Sequence, residues 1–169
     1  MSVRGYWRTL SERMLWADRD WLTNVYPFYL HDLSEFDAGY YRLNDRGLWE
    51  PDHLPDWLSN DVQHSLIILA GGQHAGFALV GKAPFAHMTP GFDYHMAEFF
   101  ILRKLRRTGI GGAAAVAVFD RFPGSWEVTE MPRNAAAVRF WRRVIGEYTG
   151  GHFEDAPIEG SERQIFTAG

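Results

Sequence analysis

A six-residue stretch, Arg106-Arg107-Thr108-Gly109-Ile110-Gly111, lies between the apolar run Met96 to Leu102 and the alanine-rich run Gly112 to Phe122. No other feature of the chain limits its fold as much. An apolar, β-prone run passes through a basic turn with two glycines into residues of high helix propensity, which specifies a strand, a loop and a helix in that order. Glycine at 109 and 111 lets the backbone turn tightly and aim N–H groups at an anion, and the helix that follows adds the positive end of its dipole. Four of the five residues from Arg103 to Arg107 are cationic, which supplies counter-charge. The segment reads as a phosphate cradle.

The remaining chain sets the scale of the domain around this cradle. Its 169 residues, 46% hydrophobic and 15% aromatic, suit a single domain, 1–169, with ample apolar area for one core. Zero cysteines exclude disulfides, thiolate nucleophiles and Cys-ligated zinc. The apolar runs fall far short of the ~20 residues that span a bilayer, and no basic-flanked apolar segment opens the chain, so the expected setting is cytoplasmic with no membrane partner. A net charge of −4 argues against nucleic acid as a partner. That charge is uneven: residues 1–97 carry −5 and residues 98–169 carry +1, so a polyanionic ligand favours the second half.

Tyr6 to Leu10 suits an edge strand. A helix is expected from Asp18 or Asp20 to about Leu33, with Trp21, Leu22, Val25, Phe28, Tyr29 and Leu33 near one stripe and Pro27 kinking or dividing it. Residues 34–60 read as a long loop. Ser65 to Ala70 and Ala75 to Val80, around Gly71-Gly72-Gln73-His74, form a hairpin. Tyr94 to Leu102 is a strand, Gly109 to Phe122 a helix, and Trp126 to Thr129 a short strand. Pro132 and Asn134 open a further helix, with Ala135, Val138, Trp141, Val144 and Ile145 inward and Gly146 as its stop. Arg163 to Thr167 is a last strand. The alternation predicts one α/β or α+β domain.

Gly109-x-Gly111-x-x-Ala114 also fits the dinucleotide fingerprint G-x-G-x-x-G/A, with Glu127 or Glu130 as its ribose-binding acid. Against that reading, a basic segment separates the strand from the glycines, and too little chain follows for a second mononucleotide half. The order strand, basic loop, R-x-x-G-x-G, helix instead resembles the acyl-CoA pyrophosphate loop of the GCN5-related N-acetyltransferase (GNAT) superfamily. About 23 residues beyond Gly111, Asn134-Ala135-Ala136-Ala137-Val138-Arg139-Phe140-Trp141 is similar to that superfamily's later motif N-x-x-A-x-x-F-[YF]. The two together cover residues 94–146.

The resemblance implies a central mixed, mostly antiparallel sheet with helices on both faces, acetyl-CoA as cosubstrate and a small-molecule amine as acceptor, in a monomer or homodimer. It implies that backbone groups of Phe100, Ile101 and Leu102 face the pantetheine arm, and that Arg106, Arg107, Thr108, Gly109, Ile110, Gly111 and Gly112 surround the pyrophosphate. Asn134 would touch the pantetheine, and Phe140 and Trp141 would line the thioester end. Arg103, Lys104, Arg139, Arg142 and Arg143 are candidates for the adenosine 3′-phosphate.

Many superfamily members carry a tyrosine where this chain has Trp141, and an indole N–H cannot act as an acid near neutral pH. Tyr148 and Tyr94 are the replacement candidates for protonating the thiolate, with water as a third. Glu98 interrupts the otherwise apolar stretch Met96 to Leu102 and is the candidate base for an amine that must be neutral to attack a thioester. His95 is a possible relay beside it. Tyr26, Tyr29, His31, Asp32, Glu35 and Asp37 are candidates for recognising a cationic acceptor. The seven histidines show no metal-binding spacing, and no G-x-S-x-G elbow occurs. A non-catalytic acyl-CoA-binding domain is the competing reading.

Overall fold

The computed structural model describes residues 8–9, 16–59 and 62–169. In chain order the elements are β1 (Arg8–Thr9), α1 (Trp16–Ser34), β2 (Arg42–Leu43), β3 (Trp49–Glu50), α2 (Leu54–Ser59), β4 (His64–Ala70), β5 (Gln73–Lys82) and β6 (Tyr94–Ile101). A 3₁₀ turn, Arg103–Leu105, then leads to α3 (Ile110–Arg121), β7 (Gly124–Glu130), α4 (Ala135–Thr149), β8 (Phe153–Asp155) and β9 (Glu162–Ala168). Seven strands form one sheet in the order β1-β4-β5-β6-β7-β9-β8, while β2 and β3 pair separately. Among the described residues of the large sheet, only β6 and β7 run parallel.

Helices cover both faces, as the resemblance implies. On one face α1 packs Leu22, Val25, Tyr26 and Leu30, with Tyr29 beside them, onto Ile67, Phe77, Leu79 and Phe100. Those α1 positions recur at the three- and four-residue spacing of one helical stripe. On the other face α3 and α4 bury Ala115, Val118, Phe119, Trp141, Val144 and Ile145 against Met96, Trp126, Val128 and Phe166.

Several local expectations need correction. Pro27 does not divide α1, which runs unbroken from Trp16 to Ser34. Thr23 and Pro27 are both exposed, so the carbonyl that Pro27 leaves without a donor faces solvent. Phe28 points outward, 63% exposed, and is not part of the buried stripe. Residues 34–60 hold a small hairpin and the helix α2, rather than one long loop. Gly146 does not stop α4: the helix continues to Thr149 and ends at Gly150, whose φ of 61° is the left-handed conformation that closes a helix. The β4–β5 turn consists of Gly71 and Gly72 alone, both at positive φ, the twist a two-residue hairpin needs. Of the edge strand expected over Tyr6 to Leu10, Arg8 and Thr9 pair with Ile67 and Leu66, and its other residues lie outside those described.

Candidate active site

The two parallel strands part company midway. Tyr94, His95 and Met96 pair with Trp126, Glu127 and Val128, and beyond them the ladder stops while both strands continue, β6 to Ile101 and β7 to Glu130. On its other side β6 stays bonded to β5, and Leu102 N–H donates to Ala75 O at 2.9 Å. By the alternation of an antiparallel ladder, Phe100 and Leu102 turn their backbone groups towards β5, and Phe99 and Ile101 turn theirs into the opening. Of the three residues expected to offer backbone to a pantetheine arm, Ile101 is the one so placed.

The glycine loop stands at the wide end of this opening. Arg107 (φ 62°) and Gly109 (φ 89°) both take the left-handed conformation. Gly109 caps α3 with no side-chain bond, so the first-turn N–H groups of α3 keep their donors unused by a cap. Thr108 turns its hydroxyl back to Leu105 O (2.6 Å). Gly111 lets α3 approach its neighbours: a Cβ there would stand 3.4 Å from the Phe140 ring and 3.6 Å from Ile101. A Cβ on Gly112 would meet Val144 at 3.7 Å.

The cations of the loop divide into two groups. Arg106 donates through Nε to Ile101 O at 2.9 Å and through its terminal nitrogen to Asp32 Oδ2 at 2.5 Å, and its guanidinium lies over the Phe100 ring. Arg103 bonds the other Asp32 oxygen at 2.7 Å. Partial burial pushes the Asp32 carboxyl up, and the two guanidiniums outweigh it and hold it below the usual carboxylate range. Asp32 therefore anchors the loop to α1 and is not available to an acceptor. Lys104 and Arg107 are exposed beside the cradle. Arg142 is drawn to Asp155 (2.8 Å) and Glu162 (3.1 Å), while Arg139 and Arg143 lie on the exposed side of α4.

Glu98 sits two residues beyond the last β6–β7 pair. The β5–β6 register shifts between Leu79, opposite Glu98, and Val80, opposite Met96. The extra residue of this bulge, Ala97, re-aims everything after it. Tyr94 and Met96 face the α3–α4 core, whereas Ala97 and Phe100 pack on the α1 side. Glu98 is thereby swung to the α1 face, beneath the hydroxyls of Tyr26 and Tyr29, with Tyr41 nearby. Burial pushes its carboxyl up to about 7 despite the hydrogen bonds from Tyr29 and Tyr26. The same burial, with the Glu98 charge next to it, raises the Tyr29 hydroxyl well above its ordinary value, so both tyrosines stay protonated donors. Of the other first-half candidates, His31 lies edge-on to Trp49, and Glu35 and Asp37 are exposed.

The motif on α4 contributes differently from each position. The Asn134 side chain caps the helix, accepting from Ala137 N–H at 3.1 Å. Trp141 is a core residue among Phe99, Phe119 and Phe140. Phe140 is less buried and lies by Gly111 and Ile101 at the opening. Tyr148 bonds Asp120 Oδ1 (3.1 Å) and packs on Phe119 and Phe166, on the opposite face of the sheet from Glu98. Tyr94 stacks on Trp126 on that same far face. Neither tyrosine is brought beside Glu98.

A second set of buried charged groups lies outside the two motifs. Glu127 is 1% exposed, accepts Thr89 N–H at 2.7 Å, and lies 3.3 Å from His95 Nδ1 and 3.5 Å from Arg163. Burial pushes its carboxyl up, but the His95 imidazole beside it and the bonding from Thr89 prevail and hold it at about 2. Glu127 is thus committed within the sheet and Glu130, the other candidate, is buried at the end of β7, so the dinucleotide reading loses both ribose acids and the run of parallel strands it requires. The signal available in the sequence is the pattern in β7, Trp126-Glu127-Val128-Thr129-Glu130, which sets carboxylates inside an apolar strand as Glu98 is set in β6. Among the described residues no group of three His, Asp or Glu is placed to hold a metal ion, and no helix is long and apolar enough to cross a membrane.

Solved structures with this fold are numerous. An acetyltransferase of the GNAT family from Streptococcus agalactiae superimposes with a TM-score of 0.66 at 10% identity, covering 100% of this chain and 98% of its own. One from Listeria monocytogenes gives 0.61 at 11%, covering 99% and 98%. A Bacillus subtilis acetyltransferase in complex with CoA gives 0.50 at 12%, covering 82% and 90%. No curated protein matches the sequence. The family model described as Acetyltransferase (GNAT) family matches residues 19–146, from the first turns of α1 to the last of α4. The chain belongs to the GNAT acetyltransferase family.

Proposed function

We propose that the protein is an acetyl-CoA-dependent N-acetyltransferase that acetylates a small-molecule amine by direct attack. The observation that carries this reading is the parting of β6 and β7 after Met96 and Val128, with the cradle of residues 106–112 at the wide end and Glu98 at the narrow end. Acetyl-CoA supplies an activated acyl thioester. Arg107, Lys104 and the N–H groups opening α3 bind the pyrophosphate, Ile101 offers backbone in the opening, and Phe140 packs on the acyl arm.

On the α1 face, Tyr26, Tyr29 and Tyr41 receive the amine, and Glu98 takes one proton from the ammonium. A carboxylate poised near pH 7 suits that task, because it is substantially charged at neutral pH yet basic enough to accept the proton. The neutral amine attacks the acyl carbon, the C–S bond breaks, and the second amine proton passes to the departing sulfur. This route does not call on Trp141 or Tyr148 as an acid. Amine-dependent release of the CoA thiol from acetyl-CoA tests the reading. Binding of acetyl-CoA without turnover of any primary amine supports the acyl-CoA-binding alternative, and stabilisation by NAD alone contradicts both.

A further inference from the structure

Beneath the first half of α4, one carboxyl group of the sheet has no bonding partner. Glu130 is 7% exposed, both its oxygens are sealed from solvent, and neither meets a donor in ordinary geometry. We propose that Glu130 is a positioning residue of the acetyl-CoA site: as the neutral acid it lets α4 seat against β7 and β9, and as the carboxylate it unseats that helix and weakens acetyl-CoA binding. The inference rests on the acetyl-CoA reading above and adds to it a control on the affinity of that site.

The register of the sheet builds the arrangement. Glu130 lies two residues beyond Val128 on β7, so it points to the α3–α4 face that Val128 and Trp126 occupy. On β9, Glu162 is paired with Glu130, Gln164 with Val128 and Phe166 with Trp126, which brings Glu162 and Gln164 to the same face. Asp155 of β8 is paired with Gln164. From the helix, Arg142 reaches Asp155 Oδ1 at 2.8 Å and Glu162 Oε2 at 3.1 Å. The groups acting on Glu130 are therefore Gln164 and Glu162 of β9, Asp155 of β8 and Arg142 of α4, so that three carboxyl groups share one guanidinium.

Only a neutral Glu130 fits that set. Arg142 already serves Asp155 and Glu162, and ionisation would bury a further negative charge with no donor of its own, which costs far more than burying a carboxylic acid. Burial accordingly pushes the carboxyl up to about 8, against the weaker pull of Gln164 and Arg142 towards the charged form. Gln164 is itself wholly buried, its Nε2 donates to Asp155 Oδ1 at 3.3 Å, and its Oε1 accepts no bond. A protonated Glu130 carries the O–H that this oxygen lacks. One proton thus satisfies two orphaned side chains and leaves Arg142 where it is.

Ionisation removes that donor and turns the cluster against the helix. The carboxylate must then be met by Arg142, which has to leave Asp155 and Glu162, or by water entering under α4. Either event displaces the amino-terminal half of α4. Residues 131–133 alone separate Glu130 from Asn134, the cap of that helix, and Val138, one turn before Arg142, is buried against the sheet. Phe140, between Val138 and Arg142, lies by Gly111 and Ile101 at the opening between β6 and β7. A shift of α4 therefore moves the wall against which the acyl arm packs.

Calorimetric titration of the full chain with acetyl-CoA, whose sulfur is blocked and cannot itself titrate, tests this across pH. Wild-type affinity should fall by about 10-fold between pH 7 and about 9.5, with the fall beginning near 8. Glu130→Gln, which keeps a neutral side chain able to bond Gln164, should hold its own affinity within about twofold over that range. Glu162→Gln removes a neighbouring negative charge and frees one arm of Arg142, so the fall should begin at lower pH. In steady state, KM for acetyl-CoA should rise above pH 8 in the wild type while kcat at saturation does not drop. Parallel weakening in wild type and Glu130→Gln, or an onset that Glu162→Gln leaves in place, overturns the positioning role and leaves acetyltransfer standing. A wild type that binds acetyl-CoA at no pH overturns both.

Discussion

Asp32, in the last turn of α1, bonds Arg106, the first residue of the glycine loop, across 74 positions of sequence, while its second oxygen holds Arg103. The helix on one face of the sheet thereby fixes the strand-to-loop corner from which the cradle on the other side is built. Asp32→Ala should free both arginines and loosen the loop. The expected outcome is a several-fold loss of acetyl-CoA affinity with a small change in Tm, because paired surface charges contribute little to stability. Calorimetric titration and a melting curve check it; unchanged affinity would make the anchor incidental to binding.

The two glycines of the cradle fail for different reasons when substituted. A Cβ added at Gly109 would meet nothing within 4 Å, but the residue holds φ at 89°, so Gly109→Ala strains the backbone without a clash, at about 1 kcal/mol or more. Gly111 has ordinary φ and close neighbours, so Gly111→Ala should be nearly neutral, whereas Gly111→Val should displace Phe140 and abolish CoA binding in a folded protein. Thermal shift with and without CoA separates these effects.

Glu98→Gln keeps the shape of the carboxyl and removes its basicity. The loss expected in kcat is ~10²-fold, with CoA affinity within a few fold of wild type. Because burial raises the Glu98 carboxyl to about 7, the base form appears as pH rises through 7, and wild-type kcat should climb over that interval. The variant should lose this limb.

Glu130, at the end of β7, is buried with neither oxygen bonded within ordinary geometry, and burial pushes its carboxyl up to about 8. The folded protein holds that proton more tightly than the unfolded chain. The associated stability is complete below the unfolded value of 4.5 and is lost as pH rises through 8, at ~1.4 kcal/mol per pH unit. Glu130→Gln should therefore flatten the decline of denaturant stability between pH 5 and 8.5 by at least ~2 kcal/mol relative to wild type, since Glu98 contributes equally to both. A parallel decline in the two proteins would contradict the assignment.

Much of this architecture is legible in the chain. The glycine loop, the Asn134 motif and the Gly71-Gly72 turn depend on local backbone demands, which residue type reports directly. Glu98 stands out because a carboxylate in an apolar strand has few structural excuses. The bulge that turns Glu98 to the α1 face is not legible, because it is a property of the β5–β6 register and not of either strand alone. Asp32 suggests an acceptor group in the sequence because its partners lie 71 and 74 residues away. Tyr148 suggests an acid by its position on α4, and only packing shows its hydroxyl on Asp120.

The most direct test of the central claim is the initial rate of CoA thiol release from acetyl-CoA, measured against a panel of primary amines across neutral and mildly alkaline pH. The account predicts release that requires an amine, saturates in it, and rises as pH passes through about 7, where Glu98 ionises. Release that never exceeds the amine-free background, in a protein that binds acetyl-CoA, would contradict it.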